Sequence, residues 1–360
     1  MLLKYTPAVF AVGTDYLIMV PVTADCLFSV KIGDKVYHDA ISGVLRSKVC
    51  VHRVKVPQRE LDAVGAYTVC VRPMVERLPY DSVTGEPEEY TYAFSPVPDT
   101  DVRIYHLADC HTYVPEPLAA AAVFGNIDLL ILNGDAFGDA DAEIMFERIY
   151  ILCEQLTGGH IPVVCARGNH DLRGAFAEDY TDWMPADGDN TFYTFRVGKI
   201  WGVVLDAGED KADDAPTYRH TVCCTGFRKQ QTAFLQRVID EAPTEYATPD
   251  VVTRLVVCHI PFTELFSPPC DIEQETYAAW AQLLAEHIRP DLMLCGHTHR
   301  LAVKKEATPC PLMIGSAFGE HYVAGCGLVL QEKGCAVMFT DSCGDVLEAE
   351  YIPFERGELK

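Results

Sequence analysis

The sequence predicts an α/β protein in which a two-sheet α/β sandwich follows a small all-β sandwich. Beyond residue 101, short apolar runs alternate with helix-like segments, which is typical of a layered α/β domain. Before residue 98, short alternating segments separated by turn residues recur with no helical period between them, which is typical of a β-sandwich. The chain of 360 residues is long enough for two such units. We therefore predict domains at residues 1–98 and 99–360.

The first region, residues 1–98, is expected to hold about seven strands in a fibronectin- or immunoglobulin-like sandwich. The pair Gly33-Asp34 marks a hairpin turn. The region contains no Trp, so the Trp and disulfide that pin a true immunoglobulin domain are missing. His38 and His52 are expected on strand surfaces and outside any metal site. The segments with strand-like alternation are residues 16–22, 27–32, 35–38, 48–56 and 66–72.

The two ends of this region carry expectations of their own. The short apolar run near the N-terminus is broken by Pro7, Gly13 and Asp15 and lacks a cleavage site. It is therefore interpreted as a first strand and not as a signal peptide. Residues 81–100 are rich in Pro, Glu, Ser and Thr, which indicates a final connection or linker before the second region.

The second region alternates strands and helices. Five apolar runs bounded by turn residues are predicted to be buried strands, namely residues 103–108, 129–132, 161–165, 255–258 and 292–295. Four segments have helical character, namely residues 116–124, 139–156, 229–241 and 275–288. A hairpin is predicted over residues 191–206, with its turn at Gly198-Lys199, and further strands over residues 327–352. Two β-rich stretches within an α/β domain predict two facing sheets with helices outside them.

Composition and charge exclude several classes of protein. No apolar run reaches the length of about 18 residues that a membrane-spanning helix needs, so no membrane partner is expected. The formal net charge of −23 argues against duplex nucleic acid as a partner, because such binding relies on Lys and Arg. The fifteen cysteines are scattered, without a C-x-x-C pair, and several lie inside apolar runs. This usage favours reduced, buried thiols and a cytoplasmic location.

Each of the five apolar runs ends in residues that can bind metal. Ligands of parallel α/β sheets bind outside the carboxyl ends of strands, so these residues are expected to meet at one edge. Carboxylate and imidazole donors without thiolate fit Mn, Fe, Zn or Co, and fit Mg or Ca poorly. The seven candidate ligands are Asp109, His111, Asp135, Asn169, His259, His297 and His299. Seven ligands suit two ions about 3.5–4 Å apart if one carboxylate bridges them.

The spacing of two pairs supports this grouping. In a strand, residues i and i+2 share a face, whereas residue i+1 points away. Asp109 and His111 are thus expected to bind one ion together while Cys110 turns into the core. His297 and His299 are expected to act as a pair in the same way.

The ordered motifs D-x-H, GD, GNHD, H and GHTH resemble those of the calcineurin-like metallophosphoesterases over about residues 101–320. The resemblance implies a two-sheet α/β sandwich as the catalytic domain. The β region in front resembles the N-terminal sandwich of purple acid phosphatases. The tyrosine ligand of that subfamily is not evident, because residue 138, three positions after Asp135, is Gly. This departure argues against a coloured Fe(III) centre.

The resemblance divides the candidate ligands between two ions. The ligands of one ion are Asp109, His111 and His299. The ligands of the other ion are Asn169, His259 and His297. Asp135 would bridge the two. Mn, Fe or Zn is implied at both positions, and the identity of the ions is left open.

The resemblance also implies the reaction. His170 matches the family histidine that does not bind metal but stabilises the transferring phosphoryl group or protonates the leaving oxygen. The implied activity is hydrolysis of a phosphoric ester by in-line attack of a metal-bridging hydroxide, with Asp135 and His170 as catalytic residues. Two divalent ions, two carboxylates and a hydroxide sum to a local charge of about +1. A small anionic phosphomonoester or phosphodiester is therefore the expected substrate.

Four further expectations concern the surroundings of His170. Arg173 and Asn169 are candidate phosphate contacts, although an ordinary surface ion pair is an alternative for the arginine. Asp139 is expected either to orient His170 or to cap a helix. His220 and His321 lie in loops that could line the pocket. Residues 210–225, rich in charged and turn residues, are a candidate substrate-selecting loop.

The sequence also leaves a second class of function open. The chain could be a binding or scaffold protein with the metallophosphoesterase fold and no turnover. The presence of His170 together with all seven candidate ligands favours the enzyme, because a scaffold needs none of them.

Overall fold

The structure, a computed structural model, describes residues 2–354. Its helices are α1 (Gln58–Val64), α2 (Pro115–Phe124), α3 (Ile144–Thr157), α4 (Tyr180–Trp183), α5 (Cys224–Asp240) and α6 (Gln274–Leu283). Short 3-10 turns span His170–Leu172 and Ala177–Asp179, and a π-turn spans Leu284–Ile288. Its strands are β1 (Ala8–Val12), β2 (Asp15–Pro21), β3 (Cys26–Ile32), β4 (Lys35–His38), β5 (Ala40–Ile41), β6 (Val44–Leu45), β7 (Val51–Pro57), β8 (Ala66–Glu76), β9 (Val83–Thr84), β10 (Glu88–Ala93), β11 (Val102–Leu107), β12 (Leu129–Asn133), β13 (Val163–Ala166), β14 (Tyr193–Val197), β15 (Ile200–Leu205), β16 (Thr253–Cys258), β17 (Leu292–Cys295), β18 (Leu301–Lys304), β19 (Leu312–Gly315), β20 (Ala317–Gly319), β21 (Tyr322–Gln331), β22 (Gly334–Asp341) and β23 (Val346–Pro353).

Two large sheets organise the region that carries the candidate ligands. The first has ten strands in the order β23-β22-β21-β11-β12-β13-β1-β2-β7, with β20 paired to β21. The second has six strands in the order β14-β15-β16-β17-β19-β18. The strands that precede the candidate ligands run parallel to one another within each sheet, so their carboxyl ends lie at one edge.

The apolar core lies between the two sheets and beneath the outer helices. Along β16, Leu255 and Val257 pack into the core shared with the first sheet, whereas Val256 and Cys258 pack into a second core. Leu235 of α5 and Trp280 of α6 belong to that second core. The alternation follows from the period of a strand, because successive side chains point to opposite faces. The mixed α/β fold with facing sheets and outer helices confirms the predicted fold class.

The N-terminal region is rich in strands, as predicted, but one of its layers is part of the catalytic sheet. Strand β1 lies parallel to β13, with Phe10 opposite Val163, and β2 and β7 extend the same sheet. The other layer is the sheet β10-β8-β3-β4, with β9 paired to β8. The division of the chain at residue 98 stays a prediction, and any such division cuts through one continuous sheet.

The described residues correct several local expectations. Part of the expected linker, residues 81–100, forms β9 and β10, because these segments find partners along β8. His52 is fully buried and not on a strand surface. Its Nδ1 lies 2.6 Å from Asp39 Oδ2, and its Nε2 lies 3.5 Å from Cys26 Sγ. These contacts satisfy the buried imidazole, so its burial does not leave a polar atom unpaired.

The helix predicted over residues 139–156 begins only at Ile144. The acidic residues before it lie in a loop, and this loop places Asp139 beside the candidate site. The other helices and the hairpin over residues 191–206 are present with small shifts of their ends. Within residues 2–354, no helix has the length and apolar character needed to cross a membrane.

Candidate metal centre

The candidate ligands meet where the carboxyl edges of the two sheets face each other. Those from the first sheet follow β11, β12 and β13, and those from the second sheet follow β16 and β17. The geometry therefore draws on five separate strand ends. The candidate ligands are Asp109 and His111 after β11, Asp135 after β12, Asn169 after β13, His259 after β16, and His297 and His299 after β17.

One cluster of donor atoms surrounds the Asp109 carboxylate. Its Oδ1 lies 3.2 Å from His299 Nε2 and 3.8 Å from His111 Nε2. The two imidazole Nε2 atoms are themselves 3.1 Å apart. One donor atom from each of these three residues lies within 4.8 Å of the others, which is a spacing that a single ion can span. This cluster matches the first predicted set of ligands.

A second cluster adjoins the first and shares its carboxylates. His259 Nε2 lies 3.2 Å from Asp135 Oδ2 and 3.7 Å from Asp109 Oδ1. His297 joins the centre through Asn169, because its Nδ1 lies 2.9 Å from the Asn169 Oδ1 atom. The structure thus brings all seven candidate ligands together in one place.

Two buried atoms show that this donor set fits a metal. Asp109 Oδ1 and His259 Nε2 are shielded from water, and neither has a hydrogen-bond partner within the described residues. His259 Nδ1 donates a hydrogen bond of 2.7 Å to the Asn133 carbonyl, which leaves Nε2 free to bind metal. Buried polar atoms without partners are costly, and a cation between them removes that cost. The residues present therefore fit the metal that the sequence predicted.

The electrostatics of the cluster favour a positive charge at the same position. Burial lowers the pKa of His259, but Asp135 and Asp109 outweigh burial and raise this pKa to about 10. Burial raises the pKa of Asp109, but His259 and His299 outweigh it and hold that pKa below its ordinary value. Two buried carboxylates thus require a cation nearby, which either a proton or a metal can supply.

Five of the candidate ligands have the left-handed backbone conformation, with positive φ, and do not lie in extended strands. Strands β11 and β17 end at Leu107 and Cys295, before the ligands begin. The expectation that both ligand pairs lie on one face of an extended strand is therefore wrong, although Cys110 does turn into the core. Such conformations cost about 1–3 kcal/mol each and persist where the surroundings enforce them. The ligands with φ between +42° and +68° are Asp109, His111, Asp135, His297 and His299.

Two glycines allow the loops to approach each other. A Cβ atom on Gly134, whose φ is +81°, would lie 2.6 Å from the backbone of Gly168 and 2.6 Å from His259 Nδ1. A Cβ atom on Gly168 would lie 2.1 Å from Asp135 Oδ1. Real Cβ atoms do not come this close to other atoms. The loops after β12 and β13 can therefore pack together only with glycine at both positions.

His170, which is predicted not to bind metal, lies beside the candidate ligands, and one of its ring nitrogens lies within 4.8 Å of donor atoms of His111 and Asp135. Its backbone N–H donates to Asp135 Oδ1 at 2.9 Å, and its Nδ1 donates to the Gly138 carbonyl at 2.5 Å. Asp139 Oδ1 lies 3.3 Å from the same Nδ1, so the structure places this carboxylate where it can orient the ring. The His170 ring meets that of His111 edge-on, with centroids 4.9 Å apart.

Arg173 also lies at the site, but its guanidinium already has a partner. Its Nε and Nη2 donate to the two carboxylate oxygens of Glu209 at 2.8 and 2.7 Å, and Glu209 is fully buried. The remaining nitrogen, Nη1, lies 3.1 Å from His170 Nε2. Tyr218 donates a further hydrogen bond of 2.9 Å to Glu209. Arg173 is thus a fixed contact of His170, and the ion pair considered as its alternative is present, with a buried carboxylate and a partly exposed guanidinium.

Residues 210–225 lie partly at the site. Asp210 Oδ1 lies 3.7 Å from Arg173 Nη2, and it accepts hydrogen bonds from Lys211 and Tyr218. His220 is exposed, with a φ of +66°. His321 lies near Tyr113, with ring centroids 5.8 Å apart.

Three supporting residues have no role in the sequence analysis. Asp171 is buried, and its Oδ2 accepts hydrogen bonds from the backbone N–H groups of Gly168 at 2.7 Å and Asp135 at 3.2 Å. Ser316 donates to Asp109 Oδ2, and Glu209 holds Arg173. Asp171 belongs to the GNHD motif, so the motif itself signals its presence. Ser316 and Glu209 lie in no motif, and only the tertiary structure reveals their contacts.

A separate cleft lies at the other end of the strands. It has a volume of about 610 Å³ and is lined by residues that precede β16, β17 and β19, such as Val252, Asp291 and Pro311. These positions are at the amino ends of parallel strands, whereas every candidate ligand follows a carboxyl end. The cleft contains none of the candidate ligands and is therefore separate from the metal centre.

The fold and the site together define a metal-dependent phosphoesterase. The sequence profile described as calcineurin-like phosphoesterase matches residues 102–301, which is more than half of the chain. The protein therefore belongs to the calcineurin-like phosphoesterase family, and it is an enzyme of the phosphatase or phosphodiesterase type. The predicted family is thus confirmed. No curated protein sequence matches the chain.

Solved structures with a related fold include the purple acid phosphatase PPD1 from yellow lupin (Lupinus luteus) seeds. It superposes with a TM-score of 0.61 at 12% identity, over 97% of this chain and 74% of its own. This coverage extends the shared fold to the β-rich N-terminal region. A dimetal phosphatase from Danio rerio has a TM-score of 0.49 at 12% identity, over 72% of this chain and 100% of its own.

Proposed function

We propose that the protein is a dinuclear metal-dependent hydrolase of small phosphoric esters. In this proposal, Asp109, His111 and His299 hold one ion, while Asn169, His259 and His297 hold the other, and Asp135 lies between them. The observation that carries the proposal is the pair of buried donor atoms Asp109 Oδ1 and His259 Nε2, which lie 3.7 Å apart and have no hydrogen-bond partner among the described residues. When bound, two ions of this kind activate water as a nucleophile and neutralise charge on phosphoryl oxygens.

The chemistry of the donors limits the choice of ion. All seven proposed ligands offer oxygen or imidazole nitrogen, and this set favours Mn, Fe or Zn. The nearby thiol of Cys110 is buried, and burial together with Asp109 raises its pKa above the ordinary value. A thiolate ligand is therefore disfavoured at this centre.

His170 is proposed to act on the substrate directly. Since its Nδ1 faces the Gly138 carbonyl, its Nε2 is the atom available to hydrogen-bond a phosphoryl oxygen or to pass a proton to the leaving oxygen. Arg173 contacts this ring and has its charge balanced by Glu209. Its proposed role is therefore to hold His170 and to offer at most one donor, Nη1, to a phosphate.

The substrate is proposed to be small because of the charge of the protein. A formal net charge of −23 repels large polyanions, whereas the metal centre attracts a single phosphate group locally. Monoesters and diesters both satisfy this condition.

The test combines metal analysis with turnover. Protein purified without chelator is subjected to elemental analysis and then assayed with p-nitrophenyl phosphate and with its bis ester in the presence of Mn. We expect about two ions per chain, as a dinuclear site requires, and hydrolysis of at least one of the esters. Absence of metal under every condition would refute the proposal. Two ions without turnover of either ester would favour a binding protein.

A further inference from the structure

Three aromatic side chains lie on the side of the metal centre formed by His111 and His299. Phe318, in β20, has its ring centroid 4.5 Å from that of His111 and 5.5 Å from that of His299. Tyr113 lies 5.6 Å from Phe318 and 5.8 Å from His321. We name Tyr113, Phe318 and His321 the aromatic wall. These side chains continue outward from two proposed ligands of one ion.

The aromatic wall is not part of the packed interior. Tyr113 and Phe318 are half-buried and His321 is exposed. Among the described residues, neither Tyr113 nor Phe318 packs against either apolar core. Phe266, on the opposite side of the centre at 5.8 Å from His297, does pack against the second core. Core packing therefore does not explain why these partly exposed rings lie beside the candidate metal centre.

Polar contacts hold the wall in place. The Tyr113 hydroxyl oxygen accepts a hydrogen bond of 3.1 Å from the backbone N–H of His321. His321 Nδ1 lies 3.6 Å from Glu116 Oε1, and the residue has a left-handed φ of +52°. The loop after β11 and the turn after β20 are thus joined, so the rings form one surface.

A surface of this kind recognises flat rings. Aromatic pairs with centroids about 4.5–7 Å apart attract each other beyond the effect of burial. Stacking of a nucleobase on an aromatic side chain strengthens binding in the same way. A saturated group of similar size gains burial alone. The aromatic wall therefore distinguishes ligands with a planar ring from those with a saturated group, and it does not distinguish them by charge.

We propose that the aromatic wall is a substrate-binding subsite, and that the ester group of the substrate carries a planar aromatic or heteroaromatic ring. This inference rests on the proposed phosphoesterase function and names its substrate class. The phosphate lies at the metal centre, and the ring extends over Phe318 toward Tyr113 and His321.

Substrate pairs in which the leaving oxygen is a primary alkoxide in both members test the proposal. Adenosine 5′-phosphate and ribose 5-phosphate differ by the base alone, and 2-phenylethyl and 2-cyclohexylethyl phosphate differ by flatness alone. For the metal-loaded enzyme we expect kcat/KM to be about tenfold higher for the ring-bearing member of each pair. If the enzyme prefers diesters, the methyl esters of the same four compounds are compared instead.

The variants Phe318→Leu and Tyr113→Leu keep an apolar side chain but remove the ring. In both, the ratio of kcat/KM between the members of a pair should fall toward one. The matched control is Phe266→Leu, which removes an aromatic ring beside another ligand and should leave that ratio unchanged. Because the readout is a ratio within one variant, altered metal content or folding affects both substrates alike.

The possible outcomes separate this inference from the proposed function. Turnover with a ratio near one in the unaltered enzyme would overturn the subsite while leaving the phosphoesterase intact. A ratio that survives in both Phe318→Leu and Tyr113→Leu would place the ring elsewhere and also overturn it. No turnover of any ester, with metal present by elemental analysis, would remove the proposed function and this inference together.

Discussion

Glu209→Gln is the sharpest test of the Arg173–Glu209 ion pair beside His170. The carboxylate accepts two hydrogen bonds from Arg173 and one from Tyr218 while fully buried. Glutamine keeps the shape but turns one acceptor into a donor that faces the guanidinium. One charge-assisted hydrogen bond contributes about 1.5–3 kcal/mol, and the unbalanced arginine adds to the loss. We expect the free energy of unfolding to fall by about 2–4 kcal/mol.

The same variant should impair catalysis through His170. Without Glu209, the Arg173 guanidinium is no longer fixed 3.1 Å from His170 Nε2. Small displacements of a catalytic group cost rate more than affinity, so kcat should fall at least about tenfold while KM changes little. Glu209→Asp, which keeps the charge, should recover part of the loss.

Steady-state kinetics well below Tm and urea unfolding measure the two effects separately. The matched control is Glu241→Gln, which breaks an exposed Arg237–Glu241 pair and should change stability by less than about 0.5 kcal/mol. A variant with lowered stability and unchanged kcat would show that Glu209 supports the fold alone and that Arg173 does not position His170.

Three further predictions concern the metal and the fold. Asp135→Asn should lower the content of both ions in elemental analysis, whereas Asp139→Asn should not; a variant at residue 135 that retains two ions would rule out the bridging role. Gly134→Ala should abolish metal binding, measured by elemental analysis, because its Cβ would lie 2.6 Å from His259 Nδ1; full metal content would show that the loops can separate. Asp39→Asn should reduce the urea-unfolding free energy by about 1–3 kcal/mol through loss of its bond to His52, with kcat unchanged; unaltered stability would mean that this buried contact is replaceable.

The sequence predicted which candidate residues follow the strand ends, because the signal for them is local. An apolar run followed at once by Asp, Asn or His identifies both the strand and the residue after it. The pairing of β1 with β13 left no such signal, since Phe10 and Val163 are ordinary apolar residues and the register depends on the whole sheet. The N-terminal region was therefore expected to form a separate sandwich.

The contacts of charged residues were equally hard to foresee. Arg173 follows His170 closely in sequence, so its proximity could be predicted. Its partner Glu209 lies in a loop after β15, and nothing in the residues around Glu209 indicates that it is buried. His52 was misplaced for the same reason, because its partners Asp39 and Cys26 come from other segments.

The parallel pair of β1 and β13 has a consequence for folding during synthesis. The ~150 residues between the two strands take roughly 8–30 s to make at about 5–20 residues per second. Until β13 emerges, β1, which is fully buried in the finished protein, has only β2 of its two neighbours in the sheet. The turn that carries His170 directly follows β13. Pairing of β1 with β13 and formation of the turn that bears His170 are therefore expected to occur in one step, after β13 has been synthesised.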